Sequence, residues 1–488
     1  MNFQTIIGLE VHAQVNTKSK MFCGCSTDYA SAPPNTHVCP VCLGMPGVLP
    51  VINRRAVELT IMTALALNCE IVMFSRFDRK NYPYPDLMKG YQISQSYLPF
   101  GRNGWMNIEV NGQKKRVGIN NVHLEEDVAK LFHQNIGGES YSCVDVNRSG
   151  VPLMEIVGEP DLRSPEEARQ YLITLRAILQ FIGASEANME EGSFRCDANV
   201  SILPEGADRT TPKVEVKNMN SFRSVYRALE YEVERIKQAV IEGKRLIQET
   251  RGWVDDQGKT VSQRSKEYAH DYRYFPEPDL PPIVLSREDI ERLKASLPEL
   301  PEARRDRFVS SLGLPHYDAS LLTTTRSMAE YFENCLKVES LKNIELKERA
   351  KLVSNWLLGE YSRLLNATGI EIQKAKVTPE HLGLLIDQVH RGIISGTSAK
   401  EVFEEMFNTG KGPMEIIKSR GLTQISDAGE IENIVRQVIA SNPQPVADFK
   451  AGKTQALTFL VGQVMRATRG RANAKIVNDL LKKKLEEG

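Results

Sequence analysis

The feature that most restricts this chain is a doubled cysteine pair: Cys23-x-Cys25, thirteen intervening residues, then Cys39-x-x-Cys42. Thiolates held so close on two separate turns can close one tetrahedral four-sulfur site, and Zn²⁺ is the metal that such a donor set favours in a reducing compartment. Four protein ligands leave no open coordination position, so a zinc ion here would be structural. The alternative is four thiols packed without metal. The other cysteines, Cys69, Cys143, Cys196 and Cys335, stand singly, which argues against a disulfide framework.

Three segments alternate so that one side is apolar and the other carries chemistry, because successive side chains of a strand point to opposite faces of a sheet. In LEVHAQV, Leu9, Val11, Ala13 and Val15 share one face while Glu10, His12 and Gln14 share the other. FRCDANVSI sets Phe194, Cys196, Ala198, Val200 and Ile202 against Arg195, Asp197, Asn199 and Ser201, and VEVKN sets Val214 and Val216 against Glu215 and Lys217. A single strand of this kind would simply face water. Three of them, with Glu, His, Asp, Asn, Arg and Lys recurring, supply the mixture that holds a divalent cation and phosphates together. His123-Leu124-Glu125-Glu126-Asp127 adds carboxylates, and Glu155 sits in the apolar run GVPLMEIVGEPD, where a buried carboxylate needs a partner or a metal. Mg²⁺ takes one or two carboxylates plus nucleotide phosphates, and His12 could complete such a shell.

No common phosphate-binding loop is present. The tempting AGKT at 451–454 lacks the first glycine of a P-loop, whose place is taken by Ala447, and neither G-x-G-x-x-G nor G-x-S-x-G occurs. A nucleotide would therefore lie on the sheet face, met by basic side chains such as Arg195, Lys217, Arg79 and Lys80.

Lys plus Arg number 62 and Asp plus Glu 62, so the net charge is 62 − 62 = 0 and no global field draws the protein to a polyanion. Local patches must do that work. Residues 441–488 carry nine basic against four acidic side chains, a net of +5 concentrated in RATRGRANAK and LKKK. This is either a solvated helix face or an RNA contact. The N-terminal segment lacks a signal-peptide pattern and no run of about 18 apolar residues occurs, so a soluble cytoplasmic protein with no membrane partner is expected.

To about Pro282 the chain reads as strands mixed with helices, punctuated by glycine and proline; beyond it, apolar spacings of three and four mark amphipathic helices. The expectation is an α+β fold: a sheet-bearing domain at 1–290, an all-α domain at 291–408 and a small helical tail domain at 409–488. One core helix is fully specified locally, with Ser164 as cap, Pro165 at its first position, Glu166 and Glu167 at the positive end of its dipole and Gly183 closing it. A second is expected to start at Ser398, with Glu401 completing a capping box.

The blocks IIGLEVHAQVNTKSKMFCGC, CPVCLGMPGVLPVINRRAVE, RKNYPYPDLMKGYQISQ, HLEEDVAK, NRSGVPLMEIV, NMEEGSFRCDANVS, EVKNMNSFRSV, ETRGW, DYRYFPEPDLPP and FLVGQVMRATRGRAN closely resemble, nearly end to end, the B-subunit family of the bacterial Asp/Glu-tRNA amidotransferase GatCAB. The resemblance implies an antiparallel-sheet cradle related to the glutamine synthetase catalytic domain, then a helical domain and a YqeY-like tail that binds tRNA. It also implies a glutamine-hydrolysing carbon–nitrogen ligase. The B subunit transfers the γ-phosphoryl of ATP to the side-chain carboxylate of Glu-tRNA(Gln) or Asp-tRNA(Asn), and ammonia then displaces the phosphate to give Gln-tRNA or Asn-tRNA. Ammonia comes through a tunnel from the glutaminase A subunit, and a small C subunit holds A and B together.

The family's Mg²⁺ site maps onto His12 and Glu125, with Glu155 and Glu10 less directly, which makes Glu10, His12 and Glu125 the implied catalytic set. Arg195, Asp197, Glu215 and Lys217 are assigned to nucleotide, second-metal or phosphate contacts, chiefly on the alternation. Met88 stands where the family pattern has proline, which removes no charge or ligand. The zinc cysteines vary within the family. Two rivals are a zinc-bearing RNA-binding protein without catalysis, which leaves the polar strand faces unexplained, and the archaeal E subunit, whose large inserted domain finds no room in 488 residues.

Overall fold

A computed structural model describes residues 2–265, 272–422, 428–450, 453, 455–468, 472 and 474–487. The chain forms two units, Met1–Leu300 and Pro301–Gly488. The first is built on a nine-stranded sheet. Its strands are β1 (Phe3–Gln14), β2 (Glu70–Ile71), β3 (Gly101–Val110), β4 (Gln113–Glu126), β5 (Pro152–Gly158), β6 (Phe194–Pro204), β7 (Val214–Lys217), β8 (Glu249–Val254) and β9 (Lys259–Ser265). Their spatial order is β9-β8-β7-β6-β1-β5-β4-β3-β2, with the N-terminal strand at the centre.

The expected antiparallel sheet needs one correction: every neighbouring pair is antiparallel except β7 and β8, which run parallel. A parallel pair cannot be joined by a tight turn and needs a long crossover. The helix Phe222–Ile241 between these two strands supplies it.

The alternation expected from the sequence is realised. Ile7, Leu9, Val11 and Ala13 of β1, Phe194, Cys196, Ala198, Val200 and Ile202 of β6, and Val214 and Val216 of β7 are all buried. Three helices contribute to the same core: α1 (Arg54–Ala66), α2 (Pro165–Phe181) and α3 (Phe222–Ile241). The cap of α2 is as expected: Ser164 Oγ accepts from Glu167 N at 3.2 Å, and Gly183 adopts φ +70° just past the end. Leu172, Leu175 and Leu179 are fully buried, each worth about 1.5–3 kcal/mol relative to exposure. The helices cover one face of the sheet, which leaves the other to its charged side chains.

The second unit is helical among its described residues. Phe308 packs on Phe332 at 4.9 Å, and the Tyr331 and Tyr361 hydroxyls both donate to the Val377 carbonyl, at 2.9 and 3.1 Å. The helix expected from Ser398 begins a turn earlier, spanning Gly396–Thr409 with Ser395 as its cap and Ser398 N donating to Ser395 Oγ at 3.1 Å. Two good capping residues stand three apart here. Starting at the first places Ala399, Val402, Phe403 and Met406 on one buried stripe. A capping box does form elsewhere in the chain, at Ser286 and Asp289. The last stretch has a core of its own, made by Ile431, Val435, Leu460, Val464, Val477 and Leu481. Part of the basic run RATRGRANAK lies outside the described residues. No helix among the described residues is long and apolar enough to cross a membrane.

Candidate active site on the charged sheet face

Register assembles the charged face. Across four adjacent strands the pairing runs His123 (β4) to Glu155 (β5), Glu155 to His12 (β1), and His12 to Arg195 (β6). One row thus carries two imidazoles, a carboxylate and a guanidinium. Glu125 is two residues beyond His123 on the same face, and Glu10 lies opposite Asp197 on the neighbouring row.

His12 Nε2 stands 3.4 Å from Glu155 Oε2 and 3.7 Å from Glu125 Oε1, and His123 Nε2 is 3.0 Å from the same Glu155 oxygen. Glu125 is buried and accepts from Ser94 Oγ at 3.1 Å. Burial alone would lower the His12 pKa, but the Glu155 and Glu125 carboxylates raise it to about 9. Burial likewise opposes the charge of Glu155, yet His123 and His12 hold its pKa well below the usual carboxylate range. The two carboxylates thus favour the charged imidazole as long as no cation stands between them. One ligand atom each from His12, Glu125 and Glu155 lies within 4.8 Å of the others. That donor set suits a hard divalent cation.

The HLEED segment shows how alternation divides labour between adjacent acids. Glu125 faces the cluster, whereas Glu126 points through the sheet, where Lys89 Nζ approaches to 2.6 Å and Ile93 N donates at 3.0 Å. His123 was not among the ligands expected from sequence. Its signal was available, since positions 123 and 125 are two apart on one strand and must share a face.

A second group lies further along the same face. Lys217 Nζ bridges Asp197 Oδ2 at 2.7 Å and Glu215 Oε1 at 3.4 Å, Thr250 Oγ1 donates to Glu215 Oε2 at 2.7 Å, and Asn199 Nδ2 donates to Glu10 Oε1 at 2.8 Å. Glu10 is thereby drawn into this group and is not one of the three close ligand atoms. Arg195 reaches Asp127 Oδ2 at 3.0 Å.

Arg79 and Lys80 part company for the same reason as Glu125 and Glu126. On the short strand Asp78–Asn81, Lys80 lies over the Tyr272 ring at 5.1 Å and is held charged by Glu125 and Glu155 against the opposing effect of burial. Arg79 is engaged by Glu277 at 2.7 and 2.8 Å and by Asp279 at 3.2 Å, and it stacks on Tyr91. It is a structural residue here, contrary to the phosphate contact expected. Arg79→Met should cost about 3–5 kcal/mol, because it leaves the buried Glu277 carboxylate unpaired. The urea midpoint reports that loss.

The four cysteine sulfurs also lie within 4.8 Å of one another, with Cys39 and Cys42 at 3.9 Å. A tetrahedral site with about 2.3 Å zinc–sulfur bonds needs sulfurs about 3.8 Å apart. The Cys23 thiol and the Cys39 amide donate to Cys42 and lower its pKa to about 4. Buried Lys20 gives its ammonium to the His37 and Val146 carbonyls and has no carboxylate partner among the described residues. Such a charge suits a neighbour of net negative charge, as a divalent ion with four thiolates is.

A central sheet with helices on one face and a row of imidazoles, carboxylates and a guanidinium on the other has the donor set of an enzyme that works on a metal-bound, anionic substrate. A family model described as the GatB/GatE catalytic domain matches residues 5–291, and one described as the GatB domain matches residues 331–485. Proteins named as the B subunit of aspartyl/glutamyl-tRNA(Asn/Gln) amidotransferase are similar throughout. That of Dehalococcoides mccartyi is 57% identical over 489 residues, 100% of this chain and 99% of the relative. That of Thermomicrobium roseum is 55% identical over 487 residues, with 100% and 99% covered, and that of Carboxydothermus hydrogenoformans 54% over 484, with 99% of each covered. The chain belongs to the GatB/GatE family.

Proposed function

We propose that this chain is the B subunit of a tRNA-dependent amidotransferase, a glutamine-hydrolysing ligase that phosphorylates the side-chain carboxylate of Glu-tRNA(Gln) or Asp-tRNA(Asn) with ATP and replaces the phosphate by ammonia. The observation that carries the reading is the row His123, Glu155, His12 and Arg195, with Glu125 beside it. A carboxylate resists attack by ammonia until one of its oxygens becomes a phosphate leaving group. Transferring that phosphoryl group depends on in-line positioning and on neutralising charge.

Several assignments follow as parts of the same reading. His12, Glu125 and Glu155 hold Mg²⁺, which when bound neutralises charge on the nucleotide phosphates. Arg195 and Lys80 meet phosphate oxygens, and Glu10, Asp197, Glu215 and Lys217 line the nucleotide side of the face. The domain is of the glutamine synthetase type. Cys23, Cys25, Cys39 and Cys42 bind a structural zinc. Beyond the first unit, which runs ten residues past the expected boundary to Leu300, a helical domain extends to about residue 408 and a YqeY-like domain that touches tRNA occupies 409–488, a division supported by the separate core of the last stretch. The working assembly is a cytoplasmic heterotrimer with a glutaminase A subunit and a small C subunit.

The decisive experiment is ATP turnover by the co-purified heterotrimer, with ammonium chloride replacing glutamine, in the presence and absence of misacylated tRNA. Turnover that requires the charged tRNA and yields Gln-tRNA or Asn-tRNA is expected. Binding of tRNA without ATP turnover would return this chain to the RNA-binding reading.

A further inference from the structure

Arg195 is held by one hydrogen bond among the described residues, from its Nη2 to Asp127 Oδ2 at 3.0 Å. A guanidinium carries five N–H donors, so most of its fork is unused. Its side chain is 35% exposed, against 1% for that of Asp127. It stands opposite His12 in the register, beside the candidate cation site.

Asp127 is the opposite case, buried and saturated. Its Oδ2 also accepts from Gln14 Nε2 at 2.9 Å, and its Oδ1 accepts from Val128 N at 2.9 Å and lies 3.6 Å from Arg148 Nε. Its backbone is clamped as well, donating to the Val151 carbonyl at 2.7 Å and accepting from Gly150 N at 2.8 Å. Such a carboxylate has no freedom to follow a ligand, and whatever it holds is held in one place. It follows Glu125 by two residues, so the same strand end that supplies a ligand of the cation site supplies the anchor of the arginine.

We propose that Asp127 is a positioning residue for the phosphoryl-transfer site: it fixes Arg195 beside His12 so that the remaining guanidinium N–H groups receive phosphate oxygens of the nucleotide. The proposal rests on the reading of this face as the ATP and Mg²⁺ cradle. Free in solvent, a long arginine samples many rotamers and must be ordered on binding. Tethered through one nitrogen it is ordered in advance, and its planar fork can still bind a second anion with the other edge. A purely structural Asp127 would instead serve Arg148 and the turn at Gly150, with Arg195 incidental.

A double-mutant cycle separates the two. In the heterotrimer with saturating misacylated tRNA and ammonium chloride, Arg195→Gln should lower kcat/KM for ATP about 100-fold and Asp127→Asn about 10-fold, with the double variant no lower than Arg195→Gln alone. Losses that multiply to about 1,000-fold would show that Asp127 acts independently of Arg195 and overturn the proposal. Arg195→Gln within about threefold of the parent would instead remove the phosphate role of Arg195, whatever Asp127 does. Should Asp127→Asn fail to assemble, Arg195→Lys carries the test, because an ammonium keeps the charge but cannot bridge Asp127 and a phosphate through a planar fork. It should lose as much as Arg195→Gln, and near-parental kcat/KM for Arg195→Lys would overturn the proposal.

Discussion

Glu125→Gln should reduce tRNA-dependent ATP turnover and amidation by about a thousandfold while leaving glutamine hydrolysis in the partner subunit intact. The substitution is nearly isosteric, and the amide oxygen can still accept from Ser94 Oγ, so the buried end of β4 keeps its packing. What is lost is one negative charge from a group whose ligand atoms sit within 4.8 Å of each other. With that charge gone, Glu155 is left as the one carboxylate of the three-ligand group, and much of its attraction for a divalent cation is lost. Ammonium chloride in place of glutamine isolates the step. Near-normal amidation by the variant under those conditions would remove Glu125 from the cation site.

The second large effect concerns the cysteine cluster. The purified chain should carry about one zinc per polypeptide, and Cys42→Ser should reduce that to near nil. The reason the loss matters is local: between β1, which ends at Gln14, and α1, which starts at Arg54, no strand or helix forms. So long an irregular stretch inside a packed unit needs a clamp, and an ion bound by the four cysteines would supply one. Its neighbours depend on it. Lys20 and Ser149 lean on the same loop, with Ser149 Oγ donating to the Cys42 carbonyl at 3.4 Å. Limited proteolysis should therefore cut the variant within residues 24–50 while the sheet survives. Metal analysis settles the alternative directly, since a chain free of zinc with that loop protected would mean four thiols packed without metal.

Much of the charged face is legible in the sequence. The alternation of LEVHAQV, FRCDANVSI and VEVKN assigned Glu10, His12, Arg195, Asp197, Glu215 and Lys217 to polar faces, and β1, β6 and β7 carry them there. At other positions two local choices are equally good and only packing separates them. Ser395 and Ser398 are both competent caps, and the buried stripe of the helix chose the first. Arg79 and Lys80 are both cations, and strand alternation sent one to Glu277 and the other toward Glu125 and Glu155. The spacing of His123 and Glu125 puts both on one face, but only the pairing of their strand with that of Glu155 brings His123 to within 3.0 Å of a carboxylate of the cluster.

The sequence by itself determined which side chains share a face and which cysteines can share an ion, because both follow from the period of a strand and the reach of a turn. Only the tertiary structure decided which strands are neighbours and in what register. The order β6-β1-β5-β4 and its alignment put Arg195, His12, Glu155 and His123 in a single row, although His12 and Glu155 are far apart in the chain. A shift of one residue in any pairing would turn that strand's apolar set to the charged face. Burial of the core against α1, α2 and α3 therefore fixes the row as firmly as it fixes the fold.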